Sequence, residues 1–253
     1  MSFLEVKGLT KRFGGITAVD NVSFQVNRNE IVGLIGPNGA GKSTLVQMLM
    51  RVTKPDSGHI YFRDEEITRL NNWQAVGRGI AGSFQCTRPF RRLPVIANVM
   101  VPCIVSRASK RGGQLKPEIQ AMEIMKRVGI THLAKTPAAK LSQGDLKRLE
   151  IARALATCPD LMILDEPFGG LNPNEIEQLS ELIKDLRAGG RSDPLLNNEG
   201  LSIIIIEHKL SELMKIVDRV IVLCFGEVLA EGTPAEVTQN EKVIEAYIGK
   251  EGI

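Results

Sequence analysis

The stretch "GPNGAGKSTL", residues 36–45, follows directly on the apolar run "EIVGLI" and decides how the chain folds. Residues 31–35 have the length and the apolar character of a strand that is buried in a parallel sheet. Gly36, Gly39 and Gly41 allow backbone angles that a Cβ would block. A loop of this kind can turn its N–H groups inward around an anion.

A lysine and a hydroxyl stand at the start of the helix predicted next, which runs from Lys42 to about Met50. The helix N-terminus adds partial positive charge, Lys42 adds a full mobile charge, and Ser43 offers a hydroxyl to Mg²⁺. The stretch matches the phosphate-binding pattern GxxxxGK[ST], whereas the alternative is a glycine-rich turn without a ligand. The flanking strand and helix favour a nucleotide-phosphate site, formed by Gly36, Asn38, Gly39, Ala40, Gly41, Lys42, Ser43 and Thr44.

The composition is that of an ordinary water-soluble globular protein with ample core: 253 residues, 43% hydrophobic and 24% charged. The net charge of +3 is too mild to indicate nucleic-acid binding. Four scattered cysteines without a CxxC pair predict reduced thiols in a cytosolic protein. We see no signal-peptide layout and no apolar stretch of about 18 residues, so any membrane role is expected to come through a partner.

A second chemical signal is "LMILDEP", in which an apolar run ends in Asp165 and Glu166. A buried strand that ends in two carboxylates is hard to explain structurally when a phosphate loop lies upstream. We expect Asp165 to hold Mg²⁺ and Glu166 to orient and deprotonate an attacking water. Three further candidates are Phe13, Gln85 and His208. None of them indicates a functional site on its own, because each also fits an ordinary core or surface position.

The order of these pieces resembles the ATP-binding subunits of ABC transporters over nearly the whole chain. The resemblance is carried by the phosphate loop, Gln85, "LSQGD" at residues 141–145, "LDEP", "GLNP" at residues 170–173 and His208. Within that family, "FGGITAVDNVSF", "LEIARALA", "IEH" and the tail "EGTPAEVTQNEKVIEAYIG" look like the branched-chain amino acid uptake ATPases. "FRRLPVIANVM" and "DEPF" also resemble the lipopolysaccharide-export ATPase, and we favour the first subfamily.

The resemblance implies an α/β fold: a P-loop (RecA-like) nucleotide-binding core with an antiparallel β subdomain and an inserted α-helical subdomain. We predict residues 1–85 as the β part and first core part, 86–159 as the helical insertion, and 160–253 as the second core part. "PEIQAMEIMKRVGI" and "QGDLKRLEIARALA" show helical spacing in the insertion. "RVIVLCFGEVLAEG" predicts a hairpin, and Thr233 with Glu236 predicts a capping box.

The resemblance also implies how the site works, with ATP and Mg²⁺ as cofactors. Two such subunits, identical or homologous, are expected to close head to tail around two ATP molecules, with Ser142 and Gly144 facing the partner's nucleotide. Phe13 is expected to stack on adenine, Gln85 to reach Mg²⁺, and His208 to touch the γ-phosphate. Transmembrane permease subunits are expected to dock on the helical insertion at the inner membrane face, and an extracytoplasmic solute-binding protein to act indirectly.

One departure from the family pattern is Asp145, where the signature usually ends in Gln. A carboxylate near a triphosphate is repelled unless it points away or pairs with Lys147 or Arg148, and we expect Asp145 not to contact nucleotide. The segment from Gly189 to Gly200 is longer than the family leads us to expect, and we interpret it as a surface loop.

Two rival classes remain open from the sequence: a soluble ABC ATPase without a membrane channel, and a nucleotide-binding regulator that does not hydrolyse ATP. The chain has a single ATPase unit and no long coiled coil, which argues against the first class. The intact Lys42, Asp165, Glu166 and His208 argue against the second. The transported solute cannot be derived from this chain.

Overall fold

The structure, a computed structural model, describes residues 3–83, 89–104, 116–189 and 200–248. Gln85 therefore lies outside the described residues, as does most of the segment between Gly189 and Gly200. The chain divides into two compact units, one formed by residues 1–75 with 202–253 and the other by residues 76–201. The division into residues 1–85, 86–159 and 160–253 stays a prediction.

The strands within the described residues are β1 (Leu4–Phe13), β2 (Ile16–Val26), β3 (Ile31–Ile35), β4 (Ser57–Phe62), β5 (Glu65–Glu66), β6 (Ile80–Gly82), β7 (Leu161–Asp165), β8 (Ser202–Ile206), β9 (Arg219–Cys224) and β10 (Glu227–Gly232). The helices are α1 (Lys42–Leu49), α2 (Asn72–Arg78), α3 (Val95–Cys103), α4 (Pro117–Arg127), α5 (Gln143–Leu155), α6 (Pro173–Ala188), α7 (Leu210–Leu213), α8 (Pro234–Thr238) and α9 (Glu241–Ile248). The boundary between the two units falls inside α2.

The first unit contains an antiparallel sheet with the strand order β2-β1-β4-β5. Burial alternates along the end of β2, where Val22, Phe24 and Val26 are buried and the residues between them are exposed. This alternation is typical of a strand with one face on the core.

Four more strands of the same unit lie side by side in the order β10-β9-β3-β8. β3 pairs in parallel with β8 and with β9, and β9 forms an antiparallel hairpin with β10. All residues of β3 and of β8 are buried, as expected of parallel strands that are covered on both faces. Because parallel strands end at one edge, the residues after Ile35 and after Ile206 lie at the same edge of this sheet.

The second unit combines the parallel strands β6 and β7 with the longer helices α3 to α6. α3 packs on α4 and on α5, so that residues 95–103, 117–127 and 143–155 form a group of packed helices. α6 begins with a complete capping box between Asn172 and Glu175, which fixes where its first turn starts.

The structure confirms the predicted strands at residues 31–35 and 161–165, the hairpin at 219–232 and the Thr233 capping box. The predicted first helix ends one residue early, at Leu49. The elements α2, β5, β6 and α7 were not predicted, because they have seven residues or fewer and show little periodicity.

Candidate nucleotide site

The loop between β3 and α1 is pressed against backbone atoms at two of its glycines. A Cβ on Gly36 would lie 2.1 Å from the carbonyl oxygen of Leu223, and one on Gly41 would lie 2.2 Å from that of Ala18. Both glycines have positive φ, at 150° and 98°. The close approach and the backbone angle both require glycine, so the glycines of the pattern hold the loop's shape.

The loop is also hydrogen-bonded to the hairpin β9–β10. The N–H of Gly226 donates to the carbonyl of Ala40 (3.1 Å), and the N–H of Asp20 donates to the carbonyl of Gly226 (2.8 Å). Tyr247 of α9 shares a hydrogen bond with the backbone of Gly36, and burial raises the pKa of its phenol. The loop is therefore held by contacts from several parts of the chain.

Lys42 lies inside this loop. Its side chain is buried, and Nζ donates to the carbonyl oxygens of Gly36 (2.6 Å) and Pro37 (3.0 Å). A full positive charge therefore sits in the concave side of the loop, next to the N-terminus of α1. Asn38, Gly39 and Ser43 are exposed beside it, whereas Ala40 is buried and Thr44 is half-buried. The arrangement suits a polyphosphate, which carries negative charge and accepts hydrogen bonds from N–H groups.

Phe13 ends β1 and keeps half of its surface exposed (50%). Nζ of Lys11 lies 5.4 Å from the centre of its ring. β2 starts three residues after Phe13 and brings Ala18 against Gly41 of the loop. The strand that follows Phe13 therefore contacts the phosphate loop, and the exposed half of the Phe13 ring is available for stacking.

His208 follows β8 at the same sheet edge as the phosphate loop, within the first unit. Its imidazole is exposed, while the preceding Glu207 is buried. The Glu207 carboxylate accepts hydrogen bonds from the N–H groups of His208 (3.0 Å) and Lys209 (3.3 Å), which fixes the turn. The placement agrees with a role at the phosphate end of a nucleotide.

Asp165 and Glu166 are in the second unit, at the end of β7. Asp165 is buried, and its N–H donates to the hydroxyl of Ser83 (3.2 Å). Glu166 is half-buried and has a left-handed backbone, with φ of 51°. Seven other non-glycine residues among those described also have positive φ, for example Arg51 and Phe225, so the angle defines this backbone but does not by itself mark a site.

The signature "LSQGD" forms the first turn of α5. Ser142 is the N-cap of the helix, and its hydroxyl accepts a hydrogen bond from the N–H of Asp145. A Cβ on Gly144 would lie 2.7 Å from Oε1 of Glu175, so glycine is needed where this turn passes the capping box of α6. Ser142 is exposed at the N-terminus of this helix, which carries partial positive charge.

Of the two alternatives given for Asp145, pairing with Lys147 or Arg148 is not the one that the structure shows. Its carboxylate accepts a hydrogen bond from the hydroxyl of Ser142 (2.6 Å), whereas the two cations are engaged elsewhere. Lys147 donates to the carbonyl of Glu166, and Arg148 donates to the carbonyl of Val128 and to the side chain of Gln178. The turn of the helix puts Asp145 over its own N-cap, because residues three apart share a face.

Lys147 was not predicted as a site residue, although it is buried and contacts the backbone of Glu166. No sequence signal could have found it, because its partner is a backbone carbonyl. Within the described ranges, no group of three or more His, Cys, Asp or Glu side chains is arranged to hold a metal ion. Among the same residues, no helix has both the length and the apolar character needed to cross a membrane.

Two family models match the chain. The model described as ABC transporter matches residues 19–169, and the model described as branched-chain amino acid ATP-binding cassette transporter matches residues 227–253. The first match contains the phosphate loop, the signature and both carboxylates.

Curated relatives match over nearly their full length. The high-affinity branched-chain amino acid transport ATP-binding protein LivG of Escherichia coli K12 is 39% identical, over 98% of each chain. The lipopolysaccharide export system ATP-binding protein LptB of the same organism is 36% identical, over 99% of each chain.

Solved structures share the fold. A nucleotide-free ATP-binding cassette from an ABC transporter has a TM-score of 0.87 at 30% identity, covering 98% of this chain and all of that chain. A dimeric ATP-binding cassette in a post-hydrolysis state with ADP and Pi has a TM-score of 0.78 at 26% identity, covering 91% of this chain and 98% of that chain. The matched models, the identities and the shared fold confirm the predicted family: the chain belongs to the ABC transporters, as one of their ATPase subunits.

Proposed function

We propose that this chain hydrolyses MgATP and drives uptake of branched-chain amino acids, or of related solutes, through partner permease subunits. The observation that carries the enzymatic part is Glu166, which directly follows the buried strand end at Asp165 and is held in a left-handed conformation. A general base must be held in one place to act, and this carboxylate has a fixed backbone. The solute is inferred from the relatives and from the match at residues 227–253.

In this proposal the phosphate loop and Lys42 bind the β- and γ-phosphates, and Phe13 stacks on adenine. The shape of the loop supports this role, because close backbone contacts at Gly36 and Gly41 hold it in one conformation.

Mg²⁺ is proposed to be held by Ser43 and Asp165, with Gln85 as a further ligand outside the described residues. The donor set fits the ion, because an exposed hydroxyl and a buried carboxylate are hard oxygen ligands. When bound, Mg²⁺ neutralises charge on the phosphates.

Hydrolysis is proposed to proceed by in-line attack of water on the γ-phosphorus. Glu166 accepts a proton from the water as the new P–O bond forms, and the bond to the ADP oxygen breaks. Lys42 and His208 stabilise the negative charge on the transferred group. Each of these residues positions a reacting group or stabilises its charge, and this is the main contribution of protein groups to phosphoryl transfer.

A second ATPase subunit, identical or homologous, is proposed to complete the site. Ser142 and Gly144 then face the γ-phosphate of the partner's nucleotide. The exposed position of Ser142 at a helix N-terminus supports this role, although its hydroxyl has to turn from Asp145 to donate to a phosphate, and the relative with ADP and Pi is dimeric. ATP favours the closed dimer and hydrolysis releases it, so that nucleotide shifts a two-state equilibrium.

Permease subunits are proposed to dock on the helical segment of the second unit, which places the chain at the cytoplasmic face of the membrane. This segment exposes large apolar side chains that a soluble surface does not need: Phe90, Leu93, Val101, Ile104 and Ile119. An extracytoplasmic solute-binding protein would deliver the solute without touching this chain. A nucleic-acid partner is not part of this proposal. Lipopolysaccharide export is a second candidate, because the identity to LptB is nearly as high.

The enzymatic proposal is tested with Glu166→Gln, which keeps size and hydrogen bonding but loses the basic carboxylate. Binding of MgATP should survive, while hydrolysis should fall by about 10²–10⁴-fold. Because ATP is then bound but not consumed, the closed state should accumulate. Gel filtration with MgATP should therefore show a dimer that the wild type does not form stably. Glu181→Gln, on the exposed face of α6, is the control and should hydrolyse ATP normally.

Near-normal hydrolysis by Glu166→Gln would refute the general-base assignment. Slow hydrolysis without nucleotide-dependent association, even when the partner ATPase is added, would contradict the shared-site dimer instead. Transport of labelled leucine in vesicles that contain the co-purified permease tests the solute, and transport of lipopolysaccharide alone would favour the second candidate.

A further inference from the structure

Lys147 connects the signature helix to the residue proposed as general base. It lies in the second turn of α5, one turn after the signature, and its side chain is buried. Nζ donates a hydrogen bond to the backbone carbonyl of Glu166 at 2.8 Å. The N–H of Gly169 donates to the same carbonyl at 3.1 Å, so this oxygen is held from two sides.

The backbone of Glu166 needs such support. Its φ of 51° is left-handed, which costs about 1–2 kcal/mol for a residue with a Cβ. A strained conformation persists only where the surroundings determine it. A hydrogen bond from a charged donor is about twice as strong as a neutral one, and here it fixes the carbonyl that follows the strained angle. The direction of the Glu166 side chain follows from that backbone.

The ion pair of Lys147 does not explain why this ammonium group is buried. The nearest carboxylate oxygen, Oε2 of Glu150, is 3.8 Å away, which is a longer contact than that to Glu166. Burial raises the pKa of Glu150 to about 7, against the opposing effect of Lys147 and Arg153. Glu150 is thus a partial counter-charge near neutral pH, and the carbonyl of Glu166 is the shorter partner of Lys147.

Two more contacts align α5 with the segment that follows Glu166. A Cβ on Gly170 would lie 3.2 Å from Cγ of Gln143, and one on Gly144 would meet the carboxylate of Glu175. Lys147 therefore belongs to a row of contacts that starts at the signature turn and ends at the carboxylate strand.

We infer that Lys147 is a positioning residue for Glu166: its ammonium group holds the left-handed backbone that aims the Glu166 carboxylate at the attacking water. The inference rests on the proposed role of Glu166 as general base. Lys147 touches neither nucleotide nor water in this account and acts only through the backbone of Glu166.

The test compares Lys147→Met with Lys147→Arg. Methionine keeps much of the length but removes the donor, and we expect kcat for ATP hydrolysis to fall about 10–100-fold, the effect of a misplaced catalytic group. KM for ATP should stay within about twofold, because the phosphate loop is unchanged. Arginine retains a charged donor and should restore kcat to within about fivefold of wild type. Lys184→Met, an exposed lysine on α6, is the matched control and should not change kcat.

A charge-balanced variant, Lys147→Met with Glu150→Gln, keeps the test valid if Lys147→Met alone does not fold. It should show the same loss of kcat, while Glu150→Gln alone should retain more than about half of the activity, since the donor to Glu166 is still present. A double variant with normal kcat would overturn the inference.

Combining the change with Glu166→Gln separates positioning from a general structural effect. Lys147→Met should change the residual hydrolysis of Glu166→Gln by less than about twofold, because there is no base left to aim. An equal loss in both backgrounds would overturn the inference.

Slow hydrolysis by Glu166→Gln together with normal hydrolysis by Lys147→Met would overturn the inference but leave the proposed function intact. Near-normal hydrolysis by Glu166→Gln would instead remove the general base, and the inference with it.

Discussion

The hydroxyl of Ser142 donates a 2.6 Å hydrogen bond to the carboxylate of Asp145, one helical turn further on. The carboxylate is thus satisfied within its own turn. In Asp145→Asn the side-chain oxygen can still accept this bond, so ATP turnover should stay within about threefold of wild type. Asp145→Ala, which has no acceptor, is the comparison. A rise of tenfold or more for Asp145→Asn in a steady-state ATPase assay would show that the charge slows the reaction.

Phe13 should contribute to nucleotide binding through its exposed ring. Stacking of a base on an aromatic side chain contributes roughly 1–3 kcal/mol, so Phe13→Ala should weaken ATP binding about tenfold or more. GTP should be affected similarly, because every base has a stacking face. Trp73→Ala, on α2 with 71% of the side chain exposed, is the matched control. Equal ATP affinities of wild type and Phe13→Ala in a calorimetric titration would remove Phe13 from the site.

Gly39 and Gly41 should differ in their tolerance of a Cβ. Both have positive φ, but a Cβ on Gly39 meets nothing within 4 Å, whereas one on Gly41 meets the carbonyl of Ala18 at 2.2 Å. Gly39→Ala should lower the free energy of unfolding by about 1–2 kcal/mol, from backbone strain alone. Gly41→Ala should lower the free energy of unfolding further, by about 1–3 kcal/mol, because of overpacking, and it should also disrupt ATP binding. Chemical denaturation and ATP titration of both variants check this, and equal effects would contradict the observed packing.

Glu150 should make stability depend on pH. Burial raises its pKa from 4.5 to about 7, although Lys147 and Arg153 oppose the shift. Between these values the folded chain keeps a proton that the unfolded chain has released, so this contribution is complete below pH 4.5 and is lost as pH rises through 7. From pH 5 to pH 8 the wild type should lose about 2 kcal/mol relative to Glu150→Gln. Denaturant unfolding at both pH values measures the difference, and parallel profiles would rule out the shift.

The sequence could predict those features that depend on residues close together in the chain. The strand at Ile31–Ile35, the helix after Gly41 and the strand end at Asp165 follow from apolar runs and turn residues, and the structure confirms them. The capping box at Thr233 is local in the same way. The roles assigned to Phe13, Gln85 and His208 depended on a resemblance, and their roles stay predictions.

What the sequence could not predict depends on backbone atoms that approach from elsewhere in the chain. Lys147 binds a carbonyl, and every residue has a carbonyl, so no residue type marks the partner. The sequence could not decide between the two alternatives for Asp145 for a related reason, because the neighbouring cations are engaged by Val128, Glu166 and Gln178. Contacts of this kind can be identified only once the fold is known.

The supports of the phosphate loop have a consequence for biosynthesis. The loop precedes the β9–β10 hairpin in the chain, and backbone atoms of that hairpin, at Leu223 and Gly226, press on the loop or hydrogen-bond to it. Chains emerge from the ribosome N-terminus first. A nascent chain therefore carries the loop sequence before it carries the hairpin that supports the loop. We expect nucleotide to act as a stabilising ligand only once this hairpin has emerged.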